Sequence, residues 1–211
     1  ASSILTLTGT NTYTGVTTIN AGTISVATIG DGGTAGNLGQ ATNASTNIVL
    51  GGGTLKYTGS TATSNRAFTI TAGTTGTIDV PSAVTLTLAG ATGTTTTGAL
   101  TKTNSGTLNL SGVNTYTGTT TISAGTLAIT GSGSLNSGSY SGAISNSGAF
   151  IYSSSATQTL SGIVSGTGTL TKDTSSSSVL TLSNSSNSYS GATTINAGTI
   201  AVTVNNALAV S

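Results

Sequence analysis

Three carboxylates, Asp31, Asp79 and Asp173, are all that this 211-residue chain offers for acid–base or metal chemistry; it has no Glu, His or Cys. Brought together, they could protonate a glycosidic bond and activate its attacker, or supply oxygen ligands to calcium. Their local settings point elsewhere. Asp31 opens Asp31-Gly32-Gly33, a turn signal and a fragment of a calcium-binding repeat that occurs once. Asp79 ends a strand pattern two residues before Pro81, and Asp173 adjoins Lys172 as a surface pair or turn residue. Folding could gather distant positions, so a polysaccharide-active enzyme stays as the lesser alternative; turn and surface roles are expected. Serine is plentiful, but a nucleophile needs a base. Lys102 and Lys172 do not stand in a Ser-x-x-Lys arrangement. Both lysines are expected at the surface, at equivalent turns, where an edge charge discourages wrong strand pairing. Gly51-Gly52-Gly53 lacks the Lys-Thr/Ser and the helix of a phosphate loop and reads as a turn. The residues therefore assign no catalytic centre, no cofactor and no metal.

One constellation does recur at fixed spacing. Asn11-x-Tyr13-x-Gly15 returns as Asn114-x-Tyr116-x-Gly118 and Asn187-x-Tyr189-x-Gly191. Each is followed by an Ala-Gly-Thr turn carrying Gly22, Gly125 or Gly198. A face of Asn and Tyr suits surface glycans. The expected reading is structural, with the Asn side chain holding a turn by bonding to backbone.

The elements that would position these residues are short strands. Thr85-Leu86-Thr87-Leu88 and Thr107-Leu108-Asn109-Leu110 alternate strictly, the pattern of a half-buried strand. Glycine-containing breaks follow every few residues. Charged residues are 3% of the chain, yet the 35% hydrophobic residues are regularly placed and Pro occurs once, which argues against disorder. The net charge is +1 and the cations Lys56, Arg66, Lys102 and Lys172 lie far apart, leaving nucleic acid no basic patch. No apolar run approaches the roughly 20 residues that cross a bilayer, so this segment is not expected to insert into a membrane.

Three long stretches share one skeleton: Ile4 to Val26, Thr107 to Ile129 and Val179 to Val202. Each reads LxL, then NxYxG, then TTIxAGT followed by Ile or Leu. Gly98-Ala99-Leu100-Thr101-Lys102 and Gly168-Thr169-Leu170-Thr171-Lys172 precede the second and third copies. Sandwich strands have no reason to share turns and buried residues in this way, whereas stacked coils do. The chain is therefore predicted to be all-β, a single continuous parallel β-solenoid over residues 1–211. At about 20–25 residues per coil it makes roughly nine coils, a rod about 45 Å long at about 4.8 Å per coil. The tyrosines are 103 and 73 residues apart, which predicts variable blocks differing by more than one coil.

LTLTGTNTYTGVTTINAGTI resembles the passenger-associated transport repeat, also called the autotransporter-associated β-strand repeat. So does GTGTLTK with the TLSNSSNSYSGATTINAGTI that follows. The resemblance implies a right-handed parallel β-helix in a large secreted or surface-displayed protein, commonly of a Gram-negative bacterium. The stretch shows no barrel, linker helix or adhesive insert. A copy stands near either end without an evident cap, and an uncapped coil offers strand edges to a neighbour. The expected function is thus a non-enzymatic subunit of an extracellular filament, self-associating head to tail into a homopolymer. The alternative is a stalk or adhesin segment of an autotransporter-type passenger.

Overall fold

The computed structural model describes residues 3–93, 95–174 and 176–208. Alternation does the local work. In Thr85–Leu88 and Thr107–Leu110 the leucines are buried and the Thr and Asn are half-buried on the outside. A two-residue period leaves every strand with one apolar face, and that face needs a common interior.

The chain meets this need by winding. Successive strands visit three faces in turn, and each strand pairs in parallel with the strand one coil below it. The first face is an eight-stranded sheet running from Ile4–Leu7 through Thr23–Val26, Thr54–Tyr57, Thr75–Asp79, Ala99–Thr103, Thr120–Ile122 and Ile144–Asn146 to Val164–Ser165. The second is a seven-stranded sheet from Ala62–Ser64 up to Thr193–Ile195. The third is broken into sheets of three, two and four strands. The result is a parallel β-solenoid of about nine turns, all-β as expected.

Like stacks on like inside. Leu86, Leu108, Leu127, Phe150 and Leu170 lie in register, one above another, on the second face. All are at most 1% exposed, each burial contributing about 1.5–3 kcal/mol before the cost of ordering.

Each repeat copy makes one full turn. Its LxL strand lies on one face, NxYxG crosses the next, TTI forms the third, and the strand after Ala-Gly-Thr returns to pair with LxL. The pairs are Ile4↔Thr23, Thr107↔Thr126 and Val179↔Thr199. Gly22, Gly125 and Gly198 turn the corner into that returning strand with φ of 71°, 68° and 78°, the left-handed region that glycine enters freely. The copies do not sit above one another. They begin on the first, second and third faces respectively, each displaced by one face from the last.

This corrects the expectation about the variable blocks. Four coils and one face separate the first two copies, three coils and one face the last two, so the blocks differ by a single coil. The excess residues sit in one long coil: Thr23 to its partner Thr54 is 31 residues, Thr54 to its partner Thr77 is 23. The extra length is a loop over residues 27–44, and Arg66 pins it. The buried guanidinium donates from Nε to the Gly30 carbonyl at 3.2 Å, and from its terminal nitrogens to Ala41 at 3.1 Å and Gly39 at 2.8 Å.

Candidate functional site

The three carboxylates are each taken up by a local bond. Asp31 accepts from the Asn65 backbone N–H at 2.8 Å, across to the next coil. Asp79 accepts from the Thr103 hydroxyl at 3.0 Å and the Asn104 amide at 3.3 Å. Asp173 accepts from the Thr174 N–H at 2.8 Å. Among the described residues no three His, Cys, Asp or Glu side chains come together as a cation site. Gly51, Gly52 and Gly53 lie against Asn20 and Ile19 of the coil below, at a corner.

The recurrent Asn is turned to holding coil to coil, and the recurrent Tyr to holding face to face. In every copy the Asn Nδ2 donates to a backbone carbonyl of the coil above: Asn11 to Asn37 at 3.1 Å, Asn114 to Ser134 at 3.2 Å and Asn187 to Ala207 at 2.7 Å. Asn114 also bonds the carbonyl of Gly112 in its own turn at 2.8 Å. In every copy the Tyr hydroxyl meets the Thr four residues on: Tyr13 with Thr17 at 2.9 Å, Tyr116 with Thr120 at 3.1 Å and Tyr189 with Thr193 at 2.8 Å. That bond ties the NxYxG face to the TTI face of the same turn. Tyr116 and Tyr189 are buried, and Tyr13, in the first coil, is 38% exposed. Tyr116 also meets Tyr140 edge to face, with ring centroids 5.9 Å apart and planes at 79°. Burial raises the Tyr116 phenol well above the ordinary tyrosine range and raises Tyr140 likewise, so both stay neutral donors. The first glycine of the motif lies open in Gly15, while Gly118 and Gly191 press on backbone of the coil beneath. Truncating Asn114 strands two carbonyls at once. Asn114→Ala is expected to lower stability by about 1–3 kcal/mol, read as a shift of the urea midpoint.

The lysines of the LTK motifs are not at the surface. Lys102 and Lys172 are both buried, each at the inner end of a strand. Lys102 stands in an apolar column between Ile78 and Ile122, and Lys172 between Tyr152 and Ile195. The strand period decides this: Leu100 and Leu170 face inward, so the residue two further on does too. The ammonium groups then turn to the corner carbonyls. Lys102 Nζ donates to Thr103 and Asn104, both at 2.7 Å, and to Ala124 at 3.5 Å. Lys172 Nζ donates to Asp173 at 3.2 Å and lies 5.9 Å from the Tyr152 ring centroid. Each LTK lysine closes the face just before a repeat copy begins. Strand alternation alone could have signalled their burial.

Three stretches of this chain, residues 2–26, 100–129 and 175–202, match the model of the passenger-associated-transport-repeat family. They coincide with the three turns built around the Asn and Tyr clamps. The chain carries three passenger-associated transport repeats. Over 118 residues, 56% of its length, it is also 41% identical to the adhesin BmaC autotransporter of Brucella suis biovar 1 (strain 1330). The chain spans 3% of the length of that relative. No solved structure matches it. In this chain the motif Asn clamps coil to coil and the motif Tyr clamps face to face, and among the described residues no buried side-chain nitrogen or oxygen lacks a partner.

Proposed function

We propose that this chain is a stalk segment of an autotransporter-type passenger displayed on the surface of a Gram-negative bacterium. Its work is mechanical, with no reaction catalysed: it holds a rigid, evenly stacked rod between the cell and whatever the passenger presents. The observation that carries this reading is the use of the repeat's polar groups. The Asn and Tyr that recur with the motif are spent on bonds between coils and between faces. A rod built this way resists shear through many parallel ladders at once. The match to an adhesin autotransporter supports the location and the passenger context.

The test is made on intact cells. An epitope placed at Gly15, where a side chain would meet nothing within 4 Å and the backbone is not left-handed, leaves the coils undisturbed. Antibody labelling of unpermeabilised cells is the expected result, and labelling only after permeabilisation overturns the reading. A glycan array probed with the purified chain separates stalk from gripping surface. No saturable binding fits a stalk, and saturable binding of a surface glycan moves the assignment to an adhesive segment.

A further inference from the structure

Three asparagines stand in a pattern that the coil clamps do not absorb. Asn43-Ala44-Ser45, Asn109-Leu110-Ser111 and Asn184-Ser185-Ser186 each read Asn-x-Ser. This is the acceptor triplet for attaching a sugar to an asparagine amide. A transferase must reach the amide nitrogen, so the triplet has to lie on an accessible turn with its Nδ2 unspent.

Two of the three fail that condition. Asn109 lies within Thr107–Leu110, paired with Thr85–Leu88 on one side and Thr126–Ile129 on the other. Its Nδ2 donates to the Thr87 hydroxyl at 3.2 Å, and Leu110, inside the triplet, is fully buried. Asn184 spends both ends of its amide. Nδ2 donates to the Ser161 carbonyl of the coil below at 2.8 Å, and Oδ1 accepts from the Ser186 N–H at 2.8 Å.

Asn43 meets the condition. It is exposed near the end of the loop over residues 27–44, outside every strand, and Ala44 beside it is exposed too. Among the described residues its side chain makes no hydrogen bond. Other groups hold the turn. Asn47 Nδ2 donates to the Thr42 carbonyl at 3.1 Å and to the Thr42 hydroxyl at 2.9 Å. The Asn47 N–H donates to the Ala44 carbonyl at 3.0 Å. From the next coil, the Thr69 hydroxyl donates to the Ser45 carbonyl at 3.0 Å. The triplet is thus a preformed turn whose acceptor atom has no structural work.

We propose that Asn43 is an N-glycosylation site, taking a sugar from a donor in which a diphosphate is the leaving group. Asn43 Nδ2 forms the bond to the anomeric carbon. The bond from that carbon to the diphosphate oxygen breaks, and the diphosphate leaves with the electron pair. The amide proton passes to a base of the transferase. No bond of the ladder is broken, because the Asn43 amide makes none.

Incubating the purified, folded chain with UDP-glucose and a soluble bacterial N-glucosyltransferase tests this, with peptide mass spectrometry locating the added hexose. A second arm supplies membranes holding an undecaprenyl-diphosphate-linked sugar and its oligosaccharyltransferase. Asn43 is expected to be modified about tenfold faster than Asn109 or Asn184, the factor that one spent hydrogen bond sets. Synthetic peptides carrying the three triplets are expected to react at like rates, which assigns the preference to the fold. Asn43→Gln and Ser45→Ala each abolish the fast addition, Ser45→Thr retains it, and circular dichroism checks that each variant keeps its sheet. Addition in the first arm places the transfer before export, and addition in the second places it after. An Asn43 left bare in both arms while its peptide is modified overturns the proposal, as does equal modification of Asn109 in the folded chain.

Discussion

Gly118→Val is expected to lose on the order of 3 kcal/mol, while Gly15→Val, at the same place in the repeat, shifts stability by less than about 0.5 kcal/mol. The difference lies in what stands beneath. A Cβ on Gly118 would sit 2.4 Å from the Gly98 carbonyl oxygen and 2.5 Å from that of Thr97, both backbone atoms that no rotamer change can move. A Cβ on Gly15 meets nothing within 4 Å. Escape would require lifting the coil, and the bonds from Thr117 N–H to Thr96 at 2.8 Å and from Leu100 N–H to Thr119 at 2.9 Å hold it down. Gly98, Gly118, Gly142 and Gly162 form one staircase of this kind, each Cβ position lying under 3 Å from an atom one coil below. Gly106, Gly125, Gly148, Gly168 and Gly191 form another. The motif glycine joins the first staircase in the second copy and the second in the third, as a shift of one face per copy requires. Urea midpoints of the two variants measure the contrast. Equal losses at Gly118 and Gly15 would mean that the glycine serves its own turn and not the stacking.

Much of this was legible in the sequence. Alternation in Thr85–Leu88 and Thr107–Leu110 specified strands, and the recurrence of whole turns specified stacking over a sandwich. The direction of the LTK lysines was written in the same alternation, but charge argued for solvent, and the corner carbonyls that receive the ammonium groups become visible only once coils are stacked. The Tyr–Thr pairs could have been read from a Thr four residues after each motif Tyr. The coil count between copies could not. Tyr13 to Tyr116 and Tyr116 to Tyr189 differ by more residues than one ordinary coil holds, and only the register shows that the loop over residues 27–44, fastened by Arg66, absorbs the surplus. Arg66 itself stands in a variable stretch with no repeat partner, so nothing in the pattern marked it.

Lys102→Ala is expected to lose about 3–4 kcal/mol, because it leaves a cavity in the column and strips the donor from the Thr103 and Asn104 carbonyls. The cost of keeping a charge there should appear in the pH dependence of the wild type. Burial pulls the Lys102 ammonium down to about 8 from 10.5, and Asp79 opposes the shift in part. Burial lowers Lys172 in the same direction, against Asp173. Below the folded value both states hold the proton and stability does not respond. Between about 8 and 10.5 the unfolded chain still holds the proton that the folded chain has released. The unfolded state then binds more protons, so stability rises with pH. The buried tyrosines Tyr57, Tyr116, Tyr140 and Tyr152 are raised, and they reverse the trend once the unfolded phenols ionise near about 10. The rise is therefore to be read between pH 8 and about 9.5, where tyrosine is neutral in both states. Lys102→Met fills the column without a charge, so its midpoint should stay flatter across that window, and adding Lys172→Met should remove the remaining slope. A wild-type midpoint that falls from pH 8 upward would mean that the corner carbonyls hold the Lys102 proton more tightly than water does, and that the lysine is a net source of stability and not a tolerated cost.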